Sequence, residues 1–322
     1  MKRTFLLVLA ALTASTAALS GCIKSNKIDN PPKIPRSAQS SVTAPATPDS
    51  PATPDEPVEQ TTAAATAPTT EKVRVNDSEL GKIWVDELPG VEKNTLQNDR
   101  FYEDGGFKRY SADGVTALVG IDVSESSGDI DWDRVKAAGV DFAMVRLGGR
   151  GYGEAGRLYT DNRAVEYIQK AQAAGIKVGG YFFSQAVSEE EAHEEMVECG
   201  KLLGGTRLDL PLVFDWEMIT DDNARTDGVD GEQLTACARA FCDDVKKLGY
   251  QPMIYARSRD LYYKYNLTQL SDCLIWLREY NEVPTFRYGF AMWQYAEGAT
   301  LDGVEANVDL NLYFVSGGDN NR

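Results

Sequence analysis

From Ala117 onward the chain alternates short apolar runs with helix-like segments, and this alternation constrains the fold more than any other feature. Ala117–Asp122 precedes a helix near Trp132–Ala138, and Phe142–Leu147 precedes a Gly-rich loop and a helix near Asn162–Ala174. Ile176–Phe183 leads into an acidic helix ending at Leu203, and Leu212–Trp216 leads, after a polar loop, into a helix near Gly231–Leu248. Met253–Ala256, Leu274–Leu277, Phe290–Tyr295 and Val308–Phe314 follow with short helices or none between them. Continuous apolar strands separated by helices imply a parallel sheet covered on both faces. Eight of them in about 200 residues predict an α/β fold, an irregular (β/α) TIM-like barrel with reduced helices in its second half. The alternative is an open doubly wound sheet, but no phosphate-binding Gly-rich strand–helix turn supports it.

Within this frame Val213-Phe214-Asp215-Trp216-Glu217 carries the most chemistry. Residues i and i+2 of a strand leave the same face, roughly 6–7 Å apart along the backbone. Asp215 and Glu217 therefore point together into one site, and Trp216 points away. Two neighbouring carboxylates disfavour double ionisation, so one can remain a protonated acid while the other stays charged, the division of labour that glycoside hydrolysis needs.

Other polar and aromatic residues fall at strand ends, where β/α barrels build their active sites. Asp122 ends the first strand, Tyr181 and Phe183 close the third, and Tyr255 closes the fifth. Trp276 lies near the end of the sixth, Gln294 closes the seventh, and Asp309 lies in the eighth. With Arg146 of the second strand, these residues describe an acidic groove lined with flat rings. Asp122, Asp215, Glu217 and Asp309 are the expected catalytic set. Tyr181, Phe183, Arg146, Tyr255, Trp276 and Gln294 are the expected substrate-binding set.

Other chemistries lack their residues. The one histidine, His193, stands in the run Ser188-Glu189-Glu190-Glu191-Ala192-His193-Glu194-Glu195, read as the exposed face of a helix with Ser188 as N-cap and Glu191 three residues on. Histidine-dependent triads and multi-histidine zinc sites are thereby disfavoured, and no metal or cofactor is expected. A net charge of -16 argues against nucleic acid as a partner. Cys199, Cys237, Cys242 and Cys273 lack metal-type spacing and read as small buried apolar residues, with one long-range disulfide left open.

The N-terminus carries an address. Lys2-Arg3 and the apolar stretch Phe5–Leu19 form a secretory signal too short to span a bilayer. Leu19-Ser20-Gly21-Cys22 resembles the lipobox of bacterial lipoproteins, which implies cleavage after residue 21, lipidation of Cys22 and attachment to the outer face of a membrane. Residues 22–72 are rich in Pro, Thr, Ala and Ser, and repeat Pro-Ala-Thr-Pro-Asp at 45–49 and 51–55. Such a segment cannot bury enough surface to offset its ordering entropy and is expected to be a disordered tether. Residues 73–115 contain Ile83-Trp84-Val85, Pro89-Gly90 and Tyr110, and are expected to form short strands or turns packed on a barrel of residues 116–316.

Five segments together resemble glycoside hydrolase family 25, the Chalaropsis-type lysozymes. They are Gly120-Ile121-Asp122-Val123-Ser124, Gly179-Gly180-Tyr181-Phe182-Phe183-Ser184, Val213–Glu217, Met292-Trp293-Gln294-Tyr295 and Val308-Asp309-Leu310-Asn311. The resemblance covers roughly Thr116 to Phe314. It implies an irregular β/α barrel that cleaves the β-1,4 bond between N-acetylmuramic acid and N-acetylglucosamine in peptidoglycan. It further implies Glu217 as general acid and Asp215 as the residue steering the substrate acetamido group. Asp122 and Asp309 then shape the subsite, and Tyr181 lies near the reacting sugar. The expected setting is extracytoplasmic, with peptidoglycan strands and a membrane as partners. One departure is Glu125-Ser126-Ser127-Gly128, where many members carry an aromatic or His followed by Gln and Gly. Two competing readings are a hydrolase of another 2-acetamido polymer such as chitin, and a non-catalytic wall-binding lipoprotein. Against the first, the Asp-x-x-Asp-x-Asp-x-Glu run of chitinases is absent before Glu217.

Overall fold

The structure, a computed structural model, describes residues 71–316 except Asp113 and Asp221. The expected signal peptide, Cys22 and the tether up to residue 70 lie outside the described residues. The chain opens with an antiparallel hairpin, β1 (Lys72–Asp77) and β2 (Gly81–Asp86), followed by a second hairpin, β3 (Phe101–Asp104) and β4 (Phe107–Ala112). Then come β5 (Val115–Val123), α1 (Trp132–Ala137), β6 (Phe142–Arg150), a short β7 (Leu158–Thr160), α2 (Ala164–Ala173) and β8 (Lys177–Ser184). The chain continues through α3 (Glu189–Leu203), β9 (Leu212–Trp216), α4 (Gly231–Lys247), β10 (Pro252–Arg257) and α5 (Ser258–Tyr263). It ends with β11 (Leu274–Arg278), β12 (Met292–Ala299) and β13 (Val308–Ser316).

Eight of these strands close a barrel in the order β5-β6-β8-β9-β10-β11-β12-β13, with β13 pairing back onto β5. Neighbours from β5 through β12 are parallel, as expected from the sequence. The last strand departs from that expectation: β13 is antiparallel to both β12 and β5. The cause is the connection. Only residues 300–307 separate β12 from β13, whereas a parallel neighbour needs a crossover of about a dozen residues or more. The start of β13, not its end, therefore reaches the mouth of the barrel, and Asp309 sits opposite Asp122 in the ladder.

Side chains sort by period two into two buried layers. Ile121, Phe214, Trp216 and Ile254 face outward beneath the helices, together with Ile168 and Phe241. Phe142, Met144, Val213, Met253, Tyr255, Trp276 and Met292 fill the barrel. Gly120 makes room for this plug, since a Cβ there would lie 2.2 Å from the Phe142 ring. The four cysteines are buried and free, so no disulfide joins them.

Helix ends follow local chemistry. Ser188 accepts from the Glu191 amide to start α3, and Gly204, at φ 54°, ends it. Asp230 caps α4 through the Gln233 amide. The acidic run on α3 is less exposed than its composition implied. Glu195 is fully buried, with Arg150 Nε donating to it at 2.8 Å, and Glu191 pairs with both terminal nitrogens of Arg225 at 2.6 and 2.8 Å. An arginine supplied by β6 and another from the loop after β9 draw these glutamates inward. His193 meets Asp244 of α4 at 2.6 Å, a contact between two helices far from the catalytic set.

Both hairpins lie against the barrel. Thr285 Oγ1 donates to the Asn76 carbonyl, Ser258 Oγ to Asp77, and Tyr263 to the Trp84 carbonyl. Phe101 and Tyr110 pack edge-on around Phe314 and Trp293.

Candidate active site

The inward face of each strand turns from apolar to polar as it rises to the mouth. On β9 and the residue after it the sequence of inward positions is Val213, Asp215, Glu217; on β10 it is Met253, Tyr255, Arg257; on β11 it is Leu274, Trp276, Arg278. The same alternation gives Met144 then Arg146 on β6, and Gly179, Tyr181 then Phe183 on β8. Asp215 is flanked in register by Phe183 and Tyr255 and is 5% exposed, and its Oδ1 has no hydrogen-bond partner. Glu217, one residue past the strand, is more open, its side chain 36% exposed. Its position is set through the backbone: Gln185, fully buried, donates from Nε2 to the Glu217 carbonyl at 2.8 Å while its Oε1 accepts from Thr226.

Across the mouth, Asp122 and Asp309 form a second carboxylate pair. Gln294 Nε2 bridges them, at 3.0 Å to Asp122 and 3.3 Å to Asp309. Asn311 Nδ2 donates to Asp122 at 2.8 Å, and the Gly298 amide donates to Asp309 at 2.9 Å. A layer beneath fixes the direction of both amides. Gln294 Oε1 accepts from the hydroxyls of Tyr255 and Tyr280, both at 2.9 Å, so its NH₂ must face the carboxylates. Asn311 Oδ1 accepts from Trp276 Nε1 at 2.8 Å, with the same consequence.

This geometry corrects part of the sequence reading. Trp276 is 2% exposed and Tyr255 6%, with Tyr255 edge-on to Trp276 at 4.8 Å. Rings so covered cannot stack on a sugar; Tyr255, Trp276 and the buried Gln294 aim the carboxylates from below. Tyr181 and Phe183 remain partly open to the cleft. Arg146 is held by buried Asp161, with Nε and Nη2 each 3.0 Å from Oδ2, and lies over the Tyr159 ring at 6.0 Å. The altered loop Glu125–Ser127 is a single 3-10 turn knit by its own hydroxyls, with Ser127 Oγ accepting from the Ser124 amide. Only Glu125 of that loop reaches toward the site, 3.8 Å from Arg146.

The sequence reading missed Arg257, Arg278, Asn311 and Tyr280. The first three lie two residues beyond Tyr255, Trp276 and Asp309, so the alternation that located Glu217 would have located them. Tyr280 and Gln185 lie past strand ends, where the alternation stops.

All four carboxyls are pushed up from their ordinary values, burial being the largest cause in each. Asp122 rises to about 7, with repulsion from Asp309 added and the two amide donors opposing. Asp215 is pushed well above the usual carboxylate range, driven next by Glu217 and Asp122 and restrained by Arg146 and Arg278. Glu217 is raised by burial against the pull of Arg278 and Arg257, and Asp309 is raised as well. The sequence reading held Asp215 charged beside a protonated Glu217. The buried, unpartnered Oδ1 of Asp215 favours the neutral form, so the proton belongs to the pair rather than to one member.

A family model for glycosyl hydrolases family 25 matches residues 121–304, and the chain belongs to that family. The matched span contains Asp122, Asp215 and Glu217 and stops before Asp309. The autolytic lysozyme of Clostridium acetobutylicum is 25% identical over 198 residues, covering 61% of this chain and 56% of the relative. The chain thus spans little more than half the length of that relative. Lysozyme M1 of Streptomyces globisporus is 26% identical over 217 residues, 62% of this chain and 68% of the relative. Among solved structures, the spore cortex lytic enzyme SleM of Clostridium perfringens superposes with a TM-score of 0.52 at 25% identity, covering 61% of this chain and 67% of that one.

The raised Asp122 gives a pH test. Between its ordinary value of 3.8 and its folded value of about 7, the folded protein holds a proton that the unfolded chain releases. Asp122 therefore costs stability progressively as pH rises through that window. Asp122→Asn is expected to melt like wild type near pH 4 and several degrees higher above pH 7, measured by calorimetry across that range. A difference independent of pH contradicts the assignment.

Proposed function

We propose that this protein is a muramidase that hydrolyses the β-1,4 bond between N-acetylmuramic acid and N-acetylglucosamine in peptidoglycan. The observation that carries this reading is the pair Asp215 and Glu217 on one inward face, sharing proton affinity beside the braced pair Asp122–Asp309. Membership of family 25 and relatives named lysozymes support it.

In this mechanism Glu217, the more open of the two, gives its proton to the leaving glycosidic oxygen. With that proton on Glu217, repulsion on Asp215 falls and Arg146 and Arg278 favour its ionised form. The free Oδ1 of Asp215 then accepts the N–H of the substrate acetamido group, turning the acetamido oxygen onto the anomeric carbon. The C1–O bond breaks as the oxazolinium ring closes, and Asp215 offsets the positive charge that develops. Water next attacks C1, the ring opens, and Glu217, now a carboxylate, takes the water's proton. Asp215 and Glu217 leave one side of the site, so neither needs to attack carbon directly. Asp122 and Asp309, joined through Gln294, hold the negative field under the reacting sugar.

We also propose that the protein is a lipoprotein, anchored through Cys22 on the outer face of a bacterial membrane. The Pro-, Thr- and Ala-rich residues that follow Cys22 then link the anchor to the barrel. The Leu19-Ser20-Gly21-Cys22 run and the composition of the following fifty residues support this.

Three outcomes are expected. Glu217→Gln keeps the fold but loses 10²-fold or more of hydrolysis, in line with the usual contribution of general acid catalysis. Mass spectrometry of peptidoglycan digested by the wild type should find muramic acid at new reducing ends; glucosamine there, or no new ends, rejects the muramidase reading. Cys22→Ala should move the protein from the membrane to the soluble fraction with specific activity unchanged, and continued membrane retention rejects the anchor.

A further inference from the structure

A cavity of about 100 Å³ lies against Arg278, the arginine that stands 3.9 Å from the candidate acid Glu217. One wall is the β1–β2 turn, with Asp77, Ser78 and Glu79; the others are the ends of β10 and β11 with Arg257, Arg278 and Tyr280, and with Glu279, whose carboxylate is taken up by Thr285. The hairpin precedes the residues matched by the family model, so this wall lies outside the matched span.

The arginines around the cavity are not equivalent. Arg257 Nε is committed to Asp260 at 2.8 Å, and Arg259 pairs with Glu79 of the hairpin turn at 3.1 Å. Arg278 is held by its stem end instead. Its Nε donates to the Tyr280 hydroxyl at 2.9 Å and its guanidinium lies over the Tyr280 ring at 5.0 Å. The terminal nitrogens stand 3.9 Å from Glu217 and 3.5 Å from Glu297, longer than the roughly 2.7–2.9 Å of a charge-assisted hydrogen bond. A planar fork is thus oriented toward the cleft with capacity left for a planar anion.

We propose that Arg278 and this cavity bind the carboxylate on the lactyl arm of a muramoyl residue, either the lactyl carboxylate itself or one carried by its peptide stem. The proposal rests on the muramidase reading and gives it a specificity. The sugar rings and acetamido groups of the glycan are neutral, and the arm supplies its negative charge. A protein of net charge -16 repels such an arm unless a cation meets it, and Arg278 is the cation poised at the mouth. A neutral polymer of N-acetylglucosamine has nothing to offer this site.

Calorimetric binding by the full-length protein in a Glu217→Gln background tests this with three tetrasaccharides. One carries muramoyl residues with peptide stems, one carries them without stems, and one is N-acetylglucosamine alone. Adding Arg278→Gln should weaken at least one muramoyl ligand tenfold or more, and by clearly more than it weakens the neutral ligand, which shares only the acetamido contact with Asp215. Arg278→Lys, which keeps the charge but not the fork, should restore part of the loss. Equal weakening of all three ligands, or none for either muramoyl ligand, overturns the proposal. The underlying reading fails separately, when the wild type yields no muramic acid reducing ends.

Discussion

Burial of carboxyls beside one another governs this protein. Asp215 and Glu217 cannot both ionise freely at short range in a site that water reaches poorly, and neither can Asp122 and Asp309. Everything that fixes the mouth of the barrel serves to hold these groups together against their repulsion. Gln294 and Asn311 supply donors to the Asp122–Asp309 pair, and each amide is aimed by rings below it. The reversed direction of β13 belongs to the same arrangement, because it brings Asp309 to the mouth at the start of a strand. Asp215 Oδ1 is buried without a donor, and that free acceptor is where its chemical usefulness resides.

Such a site opposes folding, and the surrounding structure compensates. The barrel plug of Phe142, Met144, Val213, Met253 and Met292 and the outer layer under the helices bury large apolar surfaces, at about 25 cal/mol for each Å². Polar ties then lock the loops that carry the site. Gln185 joins the Glu217 backbone to Thr226, Arg225 joins the following loop to Glu191, and Arg150 joins β6 to Glu195. Glu195 is itself pushed up to about 7 by burial, so this tie is held under strain of the same kind as the active site.

Much of this was legible in the sequence. Apolar runs marked all eight barrel strands, and Val213–Glu217 read as a strand with two inward carboxyls because period two leaves no alternative. What escaped had identifiable causes. The direction of β13 depends on loop length, and the short link 300–307 was the available clue. Trp276 and Tyr255 read as sugar platforms because sequence shows which face a ring leaves by but not how deep it sits. Glu191 and Glu195 read as solvated because their partners, Arg150 and Arg225, are remote in sequence. Arg278 is inward by the same period of two, standing two residues after Trp276 at the end of β11.

The central claim is that this cluster retains protons at pH values where ordinary carboxyls have lost them. The most direct measurement is a ¹³C NMR titration of the side-chain carboxyls of Asp and Glu in the ligand-free protein, assigned with Asp122→Asn, Asp215→Asn and Glu217→Gln. The account predicts that Asp122 titrates near 7 and that the Asp215–Glu217 pair loses its protons in two separated steps, at least one of them well above the ordinary carboxylate range. All of these carboxyls titrating together near 4 would contradict it.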